Sequence, residues 1–136
     1  MKNFFYYWLP VYVYASLIFY FSSLPKIPEP IIEIIPQTLI LHIIEYAILS
    51  ILLFRAFTKS NNTNMRNNAV LLAIMIATLY GITDEIHQYF VPGRISSYLD
   101  IIANCIGSTV ILIRNTFGVN LTQKTKKFLK SIYMKK

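Results

Sequence analysis

The chain alternates long apolar runs with short polar breaks, and polar residues inside the runs recur at helical spacing. Apolar residues dominate about 4–21, 37–57, 69–90 and 97–117. Each run approaches the roughly 20 residues that an α-helix needs to cross a bilayer. Phe4, Phe5, Tyr6, Tyr7 and Trp8 open the first run as an interfacial aromatic belt. That run is longer than the apolar segment of a secretory signal and has no small-residue cleavage site, which predicts a retained helix. Pro25, Pro28, Pro30 and Pro36 deny the next segment a continuous helix. Lys59 to Asn68 reads as a polar turn, and Val91-Pro92-Gly93-Arg94 as a tight return. In 121–136, Leu121, Thr125, Phe128, Leu129, Ile132 and Tyr133 share one face, with lysines on the others. The expectation is a single all-α domain over 1–136: a polytopic membrane protein with a four-transmembrane-helix bundle and an amphipathic basic C-terminal tail helix on the membrane surface.

Composition supports this reading. The chain is 55% hydrophobic and only 14% charged, whereas soluble domains are about 25% charged. The net charge of +7 would suggest nucleic acid if it were spread over a soluble fold. Its placement argues for a membrane and against a nucleic-acid partner. Eleven of the thirteen Lys and Arg fall in the N-terminus, the second loop and the tail, and only Lys26 and Arg94 in the first and third loops. By the positive-inside rule both termini are then cytoplasmic. The lone cysteine, Cys105, cannot form an internal disulfide and reads as a small buried hydrophobe.

Four of the six acids, Glu45, Asp84, Glu85 and Asp100, lie inside the spans. An ionisable residue there costs roughly 2.5–3.5 kcal/mol at mid-helix on insertion scales. Counting 1.5 Å per residue from the outer ends, His42 lies about 8 Å deep, Glu45 about 12 Å, Asp84 about 9 Å, His87 about 5 Å, Asp100 about 5 Å and Asn104 about 10 Å. His42, Glu45 and Tyr46 share a helix face, as do Asp84, His87 and Gln88, and as do Ser97, Asp100 and Asn104. Matched depth and facing predict one polar pocket in the outer half of the bundle, with Arg94 at its mouth. Glu85, next to Asp84, must point about 100° away, so one of the pair is expected to face the rim instead. Ala73, Ala77 and Gly81, and Ala103 with Gly107, form small-residue ridges for close helix packing.

Chemically, Asp84, His87 and Asp100 are the catalytic candidates if the protein is an enzyme. His42, Glu45, Tyr46, Glu85, Gln88, Arg94, Ser97 and Asn104 are the candidates for ligand binding. Asp84, His87, Asp100 and His42 suit a divalent metal or an acid/base pair, although no contiguous zinc signature is present. Ion or proton transport is disfavoured, because the inner halves of the helices offer only Ser50, Thr78 and Ser108 as polar steps.

Ser22-Ser23-Leu24-Pro25, His42 with Tyr46, and the run D-E-x-x-Q-x-x-x-P-G-R-x-x-S-x-x-D-x-x-x-N-x-x-G from Asp84 to Gly107 resemble the VanZ-like membrane protein family. The chain departs from it at Leu39-Ile40-Leu41, where members often carry a charged residue. The resemblance implies a bacterial plasma-membrane protein with a role at the cell envelope. The family's best-known member gives low-level teicoplanin resistance without remodelling the peptidoglycan precursor. The expected partners are membrane lipids and an envelope lipid or lipid-linked glycopeptide.

Overall fold

A computed structural model describes residues 2–25, 35–94 and 96–113. Among these residues five helices follow in order: α1 Lys2–Ser22, α2 Ile35–Thr58, α3 Thr63–Asn67, α4 Ala69–Tyr89 and α5 Tyr98–Ile113. No strand occurs among the described residues. Within α1, α2 and α4, the stretches Phe4–Ser22, Thr38–Thr58 and Ala69–Tyr89 are long and apolar enough to cross a membrane. At 1.5 Å per residue, the longest of them reaches about 32 Å, against a hydrocarbon core of about 30 Å.

The described part of α5 is shorter than a full span, at about 24 Å over Tyr98–Ile113. Its expected continuation to 117 and the tail helix over 121–136 lie outside the described residues. The stretch expected to be a plain polar turn before α4 instead contains α3. Asn62 explains it: its side-chain Oδ1 accepts from the backbone N–H of Asn64 at 2.9 Å and of Met65 at 3.3 Å, two donors that a helix start leaves unpaired.

Lipid-type surface lies outside and polar groups lie within. Phe5, Tyr6, Tyr12, Tyr20 and Phe21 of α1 are each more than half exposed. The buried set includes Ser50, Asp84, Glu85, Gln88, Asn104 and Ser108. Apolar residues such as Val11, Ile18, Leu49 and Leu53 are buried as well, so what departs from a water-soluble fold is the extent of apolar surface left outside. Three apolar helices with an oily exterior mark a membrane protein.

Small residues hold the bundle together. Ala69, Ala73, Ala77 and Gly81 form a buried stripe along α4, and α2 packs most extensively against that helix. At Gly81 an added Cβ would lie 2.9 Å from the Cβ of Asn104 and 3.0 Å from Tyr46 Cε1. At Gly107 it would run into the Ile43 carbonyl of α2. α2, α4 and α5 thus pack mutually, with close approaches at Gly81 and Gly107.

The two ends of the bundle differ in chemistry. At one end the Arg55 guanidinium lies 5.0 and 5.2 Å from the rings of Tyr6 and Tyr7, and Trp8 meets Phe57 edge-on at 5.2 Å. The other end gathers the C-terminus of α1, the first turns of α2, the last turns of α4 and the start of α5. The return between α4 and α5 is tight. Arg94 N–H donates to Val91 O at 3.2 Å, and Gly93 takes a φ of 76°, which suits Pro-Gly at the centre of a type II turn.

Candidate functional site

Polar side chains converge at this second end in three adjoining groups. The first lines a cavity of about 190 Å³ bounded by Ile18 and Ser22 of α1, Thr38, Leu41, His42 and Glu45 of α2, Asp84 and Gln88 of α4, and Arg94. Thr38, Leu41, His42 and Glu45 are i, i+3, i+4 and i+7, one continuous stripe of α2. A relay crosses the wall. Gln88 Nε2 donates to Asp84 Oδ2 at 2.9 Å, and Arg94 Nη1 donates to Gln88 Oε1 at 3.3 Å. The amide thus couples the carboxylate to the guanidinium without direct contact. Asp84 is buried and its Oδ1 has no hydrogen-bond partner.

Arg94 also fastens α1. Its Nε donates to Leu24 O at 3.3 Å and its Nη2 to Phe21 O. A cation set against the last carbonyls of a helix is favoured by those unpaired acceptors and by the helix dipole. Three of its N–H groups therefore act structurally, which leaves two of the five.

The second group lies between α2, α4 and α5. His42 Nδ1 pairs with Asn104 Oδ1 at 3.0 Å. His42 Nε2 faces Asp100 Oδ1 at 3.9 Å, and Nδ1 lies 4.0 Å from Glu85 Oε1. The Ser96 hydroxyl donates to Glu85 Oε2 at 3.4 Å. Neither acid of the pair faces the rim: Asp84 is 5% exposed and Glu85 1%. Neighbouring acids serve different groups: Asp84 lines the cavity and Glu85 lies beside His42. Tyr46 is fully buried one turn along α2, its hydroxyl without a partner.

The third group holds His87 at the end of α1, outside the cavity lining and the His42 cluster. Its Nε2 pairs with Ser23 Oγ at 2.9 Å, and its ring stacks on Phe19 at 4.6 Å. Ser23 Oγ also donates to Phe19 O at 2.6 Å. Of the three catalytic candidates, then, Asp84 lines the cavity, Asp100 faces His42, and His87 secures the end of α1. Ser97, a ligand candidate, is the N-cap of α5, its Oγ accepting from Leu99 N–H at 3.1 Å. Cys105 is half-buried and free.

Sequence reasoning did not select Thr38 or Ser96, and it named Ser22 only within the Ser22-Ser23-Leu24-Pro25 run of the resemblance, not as a cavity residue. Thr38 carried a usable signal, since it lies one turn before His42 on the same stripe. Ser22 and Ser96 lie at a helix end and in a loop, where periodicity gives no facing.

Family comparison bears on this end of the molecule. The VanZ/LLP1 family model matches residues 5–115, which takes in every group just described. The chain belongs to the VanZ/LLP1 family. No curated relative and no solved structure matches it. In this VanZ/LLP1 member the quoted motif thus divides by task. Asp84, Gln88 and Arg94 make the cavity relay, Glu85, Asp100 and Asn104 surround His42, and Pro92, Gly93, Ser97 and Gly107 shape the turn, the cap and the close packing.

Proposed function

We propose that this VanZ/LLP1 member is a multi-pass protein of the bacterial plasma membrane, with both termini cytoplasmic. Its cavity opens on the outer side and takes the polar headgroup of a cell-envelope lipid or of a lipid-linked glycopeptide. The observation that carries this reading is an acid-lined cavity, with a guanidinium in its wall, inside an otherwise apolar bundle. Residues so costly to insert are kept where they meet a ligand.

Size and charge narrow the ligand. At about 190 Å³ the cavity is smaller than the roughly 300–1,000 Å³ typical of sites for drug-sized ligands. It suits one charged headgroup, with the acyl chains left in the bilayer, rather than a whole glycopeptide. Glu45 and Asp84 favour a cationic group such as an ammonium, and the two remaining N–H groups of Arg94 favour a phosphate or carboxylate. Capture of such a lipid is the link we propose to glycopeptide (teicoplanin) resistance.

Native mass spectrometry of the detergent-purified protein tests this reading, with wild type beside Glu45→Gln/Asp84→Asn. A lipid that travels with the wild type and is missing from the variant supports it. If both fly bare after incubation with envelope lipid extract, the headgroup reading is wrong.

One observation favours a second reading, an acid/base hydrolase or transferase on the same headgroup. His42 lines the cavity with its Nδ1 held on Asn104 Oδ1 at 3.0 Å, so an oriented base borders a bound ligand. Turnover of a lipid by the purified protein, rather than stoichiometric capture, would select it. Transport is weakened further, because Ser50 and Ser108 donate to Ala47 O and Asn104 O on their own helices.

A further inference from the structure

The cavity accounts for Glu45, Asp84 and Arg94, yet it gives Glu85 and Asp100 no task. Glu85 is 1% exposed and its Oε1 has no hydrogen-bond partner, although His42 Nδ1 is 4.0 Å away. An unpaired carboxylate oxygen in such a place is costly unless a positive charge meets it. Asp100 Oδ1 lies 3.9 Å from His42 Nε2. Both gaps are too long for hydrogen bonds. With Nδ1 held on Asn104 Oδ1 at 3.0 Å, the proton of a neutral ring belongs on Nδ1. Nε2 then turns its lone pair toward the Asp100 carboxylate, a pairing that a cation between the two would satisfy.

We propose that His42, Glu85 and Asp100 form a divalent metal site of the zinc or manganese class, with Asn104 orienting the imidazole. One ligand atom from each of the three lies within 4.8 Å of the others. Three such atoms, one of them a His42 ring nitrogen, share a point no more than about 2.8 Å from each, so closing to the roughly 2.0–2.2 Å of zinc–imidazole and zinc–carboxylate bonds requires about 1 Å of movement or less per side chain. Imidazole with two carboxylates is a borderline donor set that suits these ions better than soft ones. Two carboxylates and one divalent ion make a neutral group, which an apolar bundle tolerates far better than two bare acids.

The outer shell is also built. A metal-binding histidine usually has its other ring nitrogen held by a polar partner, and Asn104 holds it here. Asn104 is itself held by close packing, since its Cβ would lie 2.9 Å from a Cβ placed on Gly81. Three protein ligands leave a coordination position open, and His42 borders both this site and the cavity. The proposal goes beyond the headgroup reading and stands whether or not a lipid is captured.

The test is metal retention by the full-length protein in detergent. The protein is stripped with chelator, incubated with Zn²⁺ alone or Mn²⁺ alone, desalted and measured by elemental mass spectrometry. One ion per chain is expected in the wild type and in Glu45→Gln/Asp84→Asn, and at least tenfold lower occupancy in Asp100→Asn and in Glu85→Gln. Asp100 is partly exposed, so its isosteric variant should remain folded and monodisperse. As a second readout, the added ion should raise the melting temperature of the wild type and leave that of Asp100→Asn unmoved. Wild type that retains neither ion, or triad variants that retain as much as wild type, would overturn the proposal. Loss of metal in the cavity double variant alone would assign the ion to the cavity and overturn it equally.

Discussion

Replacing Gly107 by alanine tests the packing on which the whole site rests. In a free helix the change is favourable by about 1 kcal/mol, because glycine has the greater backbone entropy to lose. In the bundle the new Cβ would strike the Ile43 carbonyl oxygen, with Ile43 C at 3.0 Å and Ala47 N at 3.1 Å. All three are backbone atoms of α2, so no side chain can swing aside and the helices must part. Overpacking of this kind costs about 1–3 kcal/mol, and the upper end applies where only backbone can yield. Net destabilisation is then about 2 kcal/mol. For a chain of this size that corresponds to a fall in melting temperature of roughly 5–10 °C, measured by thermal unfolding in detergent. Asn104 lies one turn from Gly107, so a displacement of α5 by about 1 Å would lengthen its 3.0 Å contact with His42 past hydrogen-bond range. The variant should therefore also bind the ligand of the site less tightly. If Gly107→Ala melts at or above wild type, helix propensity has won and α5 does not approach α2 this closely.

Three further outcomes follow from named contacts. Arg94→Lys keeps the charge but loses the three-pronged attachment to Phe21 O, Leu24 O and Gln88. It should cost about 1.5–3 kcal/mol, seen as faster hydrogen exchange over residues 19–25, and unchanged exchange there would contradict the clasp. Asn62→Ala removes the cap of α3 at a cost of about 0.5–2 kcal/mol. No residue of α3 is buried, so the Asn64 and Met65 amides should exchange faster while the global melting temperature stays put. His87→Phe preserves the ring stacked on Phe19 and removes only the bond to Ser23. Zinc occupancy should match wild type, and its loss would return His87 to the metal-binding group.

Helix periodicity specifies much of this molecule. Apolar runs with polar breaks identify the helices, because a helix in lipid must satisfy its backbone internally and present oil outward. Spacing of three and four residues set His42, Glu45 and Tyr46 on one face of α2. Pro92-Gly93 marked the sharp return, and Gly81 and Gly107 marked close packing. Asn62 had its meaning in the sequence as a cap, yet α3 is so short that no periodic pattern announced it.

Depth along a helix and direction around its own axis are properties of one segment, and the sequence alone determines both. Which neighbour occupies each direction depends on how the helices cross, and that belongs to the tertiary structure. Hence Asp84 and Glu85, about 100° apart on α4, serve a cavity and a histidine cluster respectively. His87 has the depth and spacing of a pocket residue but meets Ser23 and Phe19, because α1 occupies that side of α4. Ser97 shares a stripe with Asp100 and Asn104, yet the start of α5 uses its hydroxyl to cap the helix. One-dimensional periodicity supplied the polar residues and their level; packing in three dimensions decided which of them meet.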